Sequence, residues 1–123
     1  MRLQFPTGFD EGLLSASTQE LARVADAVAE GEGFVSTTGR PDGKAVLEVE
    51  ARTTADAGVR LDLDRARRIL VITGGLETRG ILADNLRAVA TVESGGHLHI
   101  DYFPDHPYLC AGSVSLVVDS PHE

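Results

Sequence analysis

Apolar residues recur with the period of an α-helix in two segments of the chain. In STQELARVADAVAEGEG they form the i, i+3, i+4, i+7 stripe Leu21, Val24, Ala25 and Val28. Ser17 and Glu20 stand just before this stripe at the spacing of a capping box, in which each side chain accepts a backbone N–H of the other residue. The pattern therefore predicts a helix that begins near Ser17 and ends at Gly31 and Gly33.

The segment LETRGILADNLRAVATVE has the same period, with the apolar stripe Leu82, Leu86, Val89 and Ala90. Gly74 and Gly75 precede this second helix, and Gly95 and Gly96 follow it, so turn-forming residues mark both of its ends. Gly80 lies inside the pattern, where glycine costs about 1 kcal/mol relative to alanine. We therefore expect close packing at Gly80 or a helix that starts late.

Other segments alternate apolar and polar residues, as strands with one buried face do. AVLEVEAR and VRLDLD alternate in this way, ILVIT (69–73) is apolar on both faces, and RLQF, GLLSAS and SVSLVV are further short strands. HLHIDYF directs Tyr102 toward the core and His97, His99 and Asp101 outward. FVSTTGRPDGK (34–44) has no period and is predicted to be a mobile loop.

These elements predict an α+β fold in the order ββαβββαββ, as one domain over residues 1–123 with a C-terminal tail at 119–123. Two helices with narrow stripes can cover one face of a sheet, so we expect a two-layer sandwich with a mostly antiparallel sheet and both helices on one face. A strand, a small-residue turn, a helix and a glycine stop occur twice, which suggests an internal ββαβ duplication. The open face would carry Glu48, Glu50, Arg60, Asp62, His97, His99 and Asp101.

Composition and charge indicate which classes of protein and partner are compatible with this chain. The chain has 123 residues, of which 42% are hydrophobic, enough for one domain with a substantial core. A formal net charge of −8 disfavours nucleic-acid binding, which depends on Lys and Arg, and favours a basic partner. Cys110 is the only cysteine, which fits a reducing compartment. Because the sequence shows neither a membrane-spanning apolar run nor a signal-peptide core, we expect a cytoplasmic protein.

The segment HLHIDYFPDHPYL (97–109) concentrates the residues that could carry chemistry. His97 and His99 would project from the same strand face, Asp101 continues the row, and Asp105 or His106 could add a ligand, so these residues are candidates for a metal site. However, HxH pairs are frequent by chance, and the sequence contains neither CxxC nor HExxH. We therefore favour a solvated strand face, with no metal and no cofactor.

Asp105 and His106, between the two prolines of PDHP, look like half of a catalytic triad. A nucleophile would have to come from Ser113, Ser115 or Cys110, and none of these lies in an activating motif. The glycines of ITGGLETRG could cradle a phosphate at a helix start, but the segment fits neither nucleotide-binding fingerprint. We therefore expect no catalytic residue and a protein that is not an enzyme.

Carboxylates next to aromatic side chains are also typical of a protein-binding surface, since aromatic residues supply contact area and peripheral charges accelerate association. The candidate contact residues are His97, His99, Asp101, Phe103, Asp105, His106, Tyr108, Glu48, Glu50 and Asp62. Tyr102, which the alternation directs inward, should matter for stability instead.

The second half of the chain resembles a known family. ILADNLRAVA, a glycine gap, GHLHIDYFPDHPYL and the closing strand SVSLVV are similar to bacterial polymorphic-toxin immunity proteins of the immunity protein 32 family, over roughly residues 69–118. The resemblance implies an α+β protein that binds and neutralises a toxin made by the same bacterium, without catalytic residues. It also implies that six residues either contact the toxin or stabilise a turn of the fold: His97, His99, Tyr102, Asp105, His106 and Tyr108. Cys110-Ala111-Gly112 departs from the more polar linker expected there.

Three interpretations remain open. The first is a toxin-neutralising immunity protein, which the resemblance favours. The second is a small metal-binding protein or metal-dependent enzyme that uses the HxH pair. The third is a dimerising domain, in which the open sheet face forms a homodimer interface.

Overall fold

The computed structural model describes residues 1–5, 11–37, 46, 48–55, 57–90 and 96–120. Within these residues the strands are β1 (Arg2–Gln4), β2 (Glu11–Ser15), β3 (Phe34–Ser36), β4 (Glu48–Thr53), β5 (Val59–Asp64), β6 (Ile69–Gly74), β7 (Gly96–Ile100) and β8 (Ser115–Ser120). The helices are α1 (Thr18–Glu30) and α2 (Leu76–Ala90). The α+β class is confirmed, and the strands and helices follow the predicted order with one additional strand, β3, between the two helices.

Two details of the element bounds differ from the sequence prediction. The short strand β3 occupies the beginning of the segment predicted to be a loop, because residues 34–36 pair with β4. Residues 38–44 of that segment lie outside the described part. Strand β8 continues through Ser120, so Asp119 and Ser120 belong to a strand and not to a tail. Residues 121–123 of the predicted tail are outside the described part as well.

The described strands form two four-stranded sheets instead of the expected single sheet. Sheet 1 has the order β1-β2-β8-β7, and sheet 2 has the order β3-β4-β6-β5. In each sheet the central pair is parallel, β2 with β8 and β4 with β6, and the outer pairs are antiparallel. The alternation of apolar residues shows which face of a strand is buried but not which strand lies beside it, so this division could not be read from the sequence.

The topology repeats between the two halves of the chain. Each half contributes the order ββαββ, and each sheet combines the first hairpin of one half with the second hairpin of the other. Buried residues recur at an offset of 58 positions, as in the pairs Leu3/Leu61, Leu14/Ile72, Val24/Leu82, Ala25/Ala83 and Val28/Leu86. Because neither half contains a complete sheet, the two halves fold around one shared core.

The two helices pack against each other and against the strands. Helix α1 contacts β3 and β4 of sheet 2, whereas α2 contacts β7 and β8 of sheet 1 and β6 of sheet 2. The predicted stripe of α1 is buried, as are Leu82, Leu86 and Val89 of α2. Gly80 lies inside α2, and a β-carbon added there would meet no atom within 4 Å, so the expectation of close packing or a late start at Gly80 is wrong.

The predicted capping box is present at the start of α1. The Glu20 N–H donates to Ser17 Oγ over 3.2 Å, and the Ser17 N–H donates to Glu20 Oε1 over 2.9 Å. The Met1 ammonium group contacts Glu20 Oε2. The hydrogen bond from this ammonium group is the main cause that lowers the pKa of Glu20 to about 2, and the bond from Ser17 adds to it.

A buried arginine breaks the apolar repeat between the two helices. Arg79 of α2 takes the place that Leu21 has in α1, 58 positions earlier, and only 2% of it is exposed. Its Nε donates to the Gly74 carbonyl over 2.8 Å, and its Nη1 donates to the carbonyls of Val28 and Ala29 over 2.9 Å each. Carbonyls in the last turn of a helix have no partner within the helix, and the negative end of the helix dipole favours a cation there. Arg79 therefore fastens the start of α2 to the end of α1.

The surroundings of Arg79 fit this contact closely. Gly31 ends α1 in the left-handed conformation with φ 74°, and a β-carbon there would collide with the Arg79 guanidinium and with Thr53 Oγ1. The Thr53 hydroxyl donates to the Gly31 carbonyl over 3.0 Å, which ties the end of β4 to the same point. Sequence analysis missed Arg79 because its position in the periodic pattern of α2 looked like an ordinary polar residue near a helix start.

We predict that Arg79→Met lowers the free energy of unfolding by about 2–4 kcal/mol, because the buried carbonyls of Val28, Ala29 and Gly74 lose their donor. The matched control is Arg87→Met on the same helix. Arg87 is exposed and forms surface ion pairs with Asp26 and Asp84, so its replacement should cost less than about 1 kcal/mol. Urea denaturation measures both changes, and equal costs would contradict the assigned role of Arg79.

Candidate functional site

The segment 101–114 runs between β7 and β8 and joins the two sheets. The Tyr102 N–H donates to Ser115 Oγ over 2.9 Å, which holds the beginning of the segment on sheet 1. Farther along, the Cys110 N–H donates to the Val59 carbonyl over 2.7 Å and the Val114 N–H donates to the Leu61 carbonyl over 2.9 Å. The segment thus lies along the outer edge of β5 before it enters sheet 1 as β8.

A tight turn at Phe103–His106 projects from this segment. The His106 N–H donates to the Phe103 carbonyl over 3.1 Å, and Asp105 adopts φ 65°. Aspartate tolerates this left-handed conformation better than most residues do. Pro104 and Pro107 restrict the backbone on both sides, so the turn is rigid before any partner arrives.

The ring of His106 holds the turn from inside. Its Nδ1 accepts the backbone N–H groups of Tyr108 over 3.1 Å and Leu109 over 3.0 Å, so the neutral ring carries its proton on Nε2. The ring centroid lies 4.9 Å from that of Phe103 and 4.6 Å from that of Tyr108, the latter edge to face. Burial lowers the pKa of His106 below its usual value of 6.5, because the charged form is poorly solvated there. His106 is therefore a fold-fixing residue of the turn.

The two tyrosines connect the turn to the core. Tyr102 and Tyr108 are half-buried and pack against the core cluster, in agreement with the inward direction expected for Tyr102. The Tyr108 hydroxyl accepts a hydrogen bond from Asn85 Nδ2 over 3.3 Å, so α2 orients the turn. Tyr108 thus has a structural role in addition to its candidate role in partner contact.

The outer surface of the turn combines one aromatic ring with two carboxylates. Phe103 is 49% exposed. Asp101 and Asp105 are exposed on either side of it in sequence. We call Asp101, Phe103 and Asp105 the turn surface. It offers a partner an apolar contact flanked by negative charge.

The other predicted contact residues lie on two separate sheets. In sheet 1, His97 pairs with Asp119 and His99 with Val117; His99 is exposed, and the side chain of His97 is outside the described part. Glu48, Glu50 and Asp62 lie on sheet 2. The expectation of one open face that carries both the histidines and these carboxylates is therefore wrong, because the chain forms two sheets.

The structure shows the hydrogen-bond partners of two predicted nucleophile candidates, Ser113 and Ser115. Among the described residues, no three His, Cys, Asp or Glu side chains are grouped so that they could hold a metal ion. Ser115 Oγ accepts the Tyr102 N–H, and Ser113 Oγ accepts the Leu61 N–H over 3.1 Å. These hydroxyl groups fasten the segment to its neighbours.

We predict that the stability of the protein falls below about pH 6.5 partly through His106. Because the pKa of His106 is lower in the folded than in the unfolded chain, the unfolded chain binds the proton first as the pH falls. The contribution of His106 is therefore complete above about pH 6.5 and decreases toward its folded-state pKa. His106→Leu should reduce this pH dependence, whereas His99→Gln should retain it. Urea denaturation near neutral and mildly acidic pH measures the difference, and an unchanged pH dependence in His106→Leu would contradict the role.

Comparison with known protein families finds a match to part of the chain. The family model described as immunity protein 32 matches residues 69–121, which include β6, α2, β7, the turn and β8. No curated protein and no solved structure matches the chain. No helix in the described part is long and apolar enough to cross a membrane. The resemblance that HLHIDYFPDHPYL and its flanks indicate is confirmed: residues 69–121 match the immunity protein 32 family.

Proposed function

We propose that this chain is a bacterial immunity protein that binds and neutralises a cognate toxin without catalysing a reaction. The observation that carries the proposal is the match of residues 69–121 to the immunity protein 32 family. An immunity protein acts by occupying or covering its target, so it needs a stable complementary surface and no assembled catalytic group. The place of action is the cytoplasm of the bacterium that makes the toxin.

The turn surface is the contact that we assign to the toxin. It lies inside the matched residues, and two prolines restrict its backbone. Next to it, the His106 ring accepts the N–H groups of Tyr108 and Leu109, and Asn85 donates to the Tyr108 hydroxyl. A contact loop that is already ordered loses little conformational entropy on binding, which favours affinity. Phe103 supplies the apolar anchor, and Asp101 and Asp105 supply the peripheral charge.

Net charge supports a basic partner. The chain carries a formal charge of −8, and an acidic protein attracts a basic one over a distance of about 10 Å at moderate salt. Association should therefore be fast at low salt and slower as salt screens the charges.

The proposal is tested with the toxin domain encoded next to the gene for this chain. Co-expression of the chain should restore growth to cells that produce the toxin domain, and the two proteins should co-purify. Failure of both rescue and co-purification would reject the immunity function.

The alternatives are tested separately. The metal-binding alternative predicts near-stoichiometric metal in the purified protein that disappears in His97→Ala/His99→Ala. The homodimer alternative predicts twice the chain mass of 13.1 kDa by light scattering. No described contact favours either alternative over toxin binding.

We predict that Asp101→Lys combined with Asp105→Asn slows association with the toxin domain by about tenfold at low salt and leaves folding intact. Asparagine is chosen at position 105 because it also tolerates the left-handed conformation. Glu30→Lys, an exposed charge reversal at the end of α1, is the control and should have little effect. Stopped-flow binding and thermal unfolding measure the two properties. Unchanged association of the double variant would exclude the turn carboxylates from the interface.

A further inference from the structure

The outer face of sheet 2 has a symmetric arrangement of charge. Strand β6 lies between β4 and β5, and the register places matching side chains on both sides of it. The three rows across the sheet are Glu48–Ile69–Asp64, Glu50–Val71–Asp62 and Arg52–Thr73–Arg60. We call these rows the sheet 2 trough: β6 forms its uncharged floor, and β4 and β5 form its charged walls.

Charges of the same sign face each other across the floor. Two rows pair a glutamate with an aspartate, and the third pairs two arginines. Their strands are two sheet spacings, about 10 Å, apart, too far for direct contact of the backbones but close enough for one incoming side chain to lie between both walls. Side chains of like charge form no ion pair with one another, and among the described residues no ion pair links β4 to β5 across the floor.

The charged side chains of the β5 wall are not engaged in ion pairs with other described residues. Among the described residues, Arg60 and Asp62 form no ion pair, and Asp64 accepts only the backbone N–H of Arg67 over 3.1 Å. On the opposite wall, Arg52 binds Glu50 through two hydrogen bonds of 3.0 and 3.1 Å. This pair is partly exposed, so a partner can exchange it at little cost.

An open groove of about 420 Å³ lies over the Arg52–Thr73–Arg60 row and the β5 side of the middle row. Its lining residues are Arg52, Thr54, Arg60, Asp62, Asp64, Arg67, Val71 and Thr73. Asp62 also lines a neighbouring groove with Tyr102 at the base of the turn. Asp62 therefore borders both grooves.

We propose that the sheet 2 trough binds an extended segment of the partner protein whose alternate side chains are basic, basic and acidic. Alternate residues of an extended chain lie about 6.8 Å apart on one side, which is also the spacing of the rows along β6. The two carboxylate rows would bind lysine or arginine, and Arg52 with Arg60 would bind a carboxylate through their guanidinium groups. The order of the rows fixes the register of the segment.

An exposed aromatic ring lies at the edge of the trough. Phe34 is 65% exposed and pairs directly with Glu50, so it extends the middle row beyond the β4 wall. A large apolar side chain beside such a row supplies contact area that exposed ion pairs alone do not. We therefore expect the partner to place an apolar side chain over Phe34, beside the basic residue in the middle row.

The test uses the peptide acetyl-Lys-Ser-Lys-Ser-Glu-amide and the permuted peptide acetyl-Lys-Ser-Glu-Ser-Lys-amide, which has the same composition and charge. Both are titrated to millimolar concentration into the ¹⁵N-labelled full chain, and amide chemical shifts are followed by NMR. We expect the first peptide to shift amides of β4, β5 and β6 and to bind about tenfold more tightly than the permuted one, the size expected when a few exposed ion pairs become like-charge contacts. Equal affinities, shifts elsewhere or no binding would each overturn the proposal.

A substitution in the protein tests the same rows as the change of peptide sequence. Asp62→Lys should weaken binding of the first peptide about tenfold, whereas Glu30→Lys, which changes the net charge equally outside the trough, should not. If Asp62→Lys does not fold, Asp62→Asn tests the same contact with a smaller loss of affinity, and an unchanged affinity in a folded variant overturns the proposal.

The proposal rests on the immunity function only in taking the partner to be a protein. Since the peptide titration involves no toxin, its failure leaves the growth-rescue test unaffected, and the reverse also holds.

Discussion

The contact between Arg79 and the end of α1 is the interaction on which the rest of this fold depends. Burying a guanidinium is unfavourable unless its donors are used, and here three backbone carbonyls use them. Two of these carbonyls belong to the first half of the chain, and Arg79 belongs to the second. The same helix that carries Arg79 also carries Asn85, which binds Tyr108 of the turn segment. Helix α2 is therefore hydrogen-bonded both to the first half of the chain and to the segment that carries the turn surface.

The repeat explains why this alignment matters. Each sheet is built from hairpins of both halves, so an error in the placement of one half would disturb both sheets. Backbone hydrogen bonds from the Ala16 N–H to the Asp119 carbonyl and from the Thr54 N–H to the Gly74 carbonyl, 3.1 Å each, also cross from one half to the other. The matched family region, residues 69–121, lies in the second half, and the first half supplies the strands β2 and β4 that complete its sheets. The turn surface and the sheet 2 trough therefore require both halves of the chain to be folded.

Much of the fold could be predicted from periodicity, but the parts that place the candidate sites could not. The stripe that includes Val24 and Val28 locates α1 because helical packing depends on local spacing. The pairing of β4 with β6, by contrast, is a long-range choice that alternation does not encode. Arg79 was missed because burial of a charged side chain depends on carbonyls supplied by another helix. The function of His106 as an acceptor for two backbone N–H groups, and the facing charges of Asp62 and Glu50, likewise became visible only with tertiary contacts and register.

Native-state amide hydrogen exchange tests most directly whether the two halves of the chain fold as one cooperative unit. If both halves depend on one another as the topology and Arg79 indicate, the slowest amides of β2, β4, β6 and β8 should share a single opening free energy equal to that of global unfolding. An opening of β6 and β8 at a distinctly lower free energy than β2 and β4, or the reverse, would show that one half unfolds alone and would contradict the account.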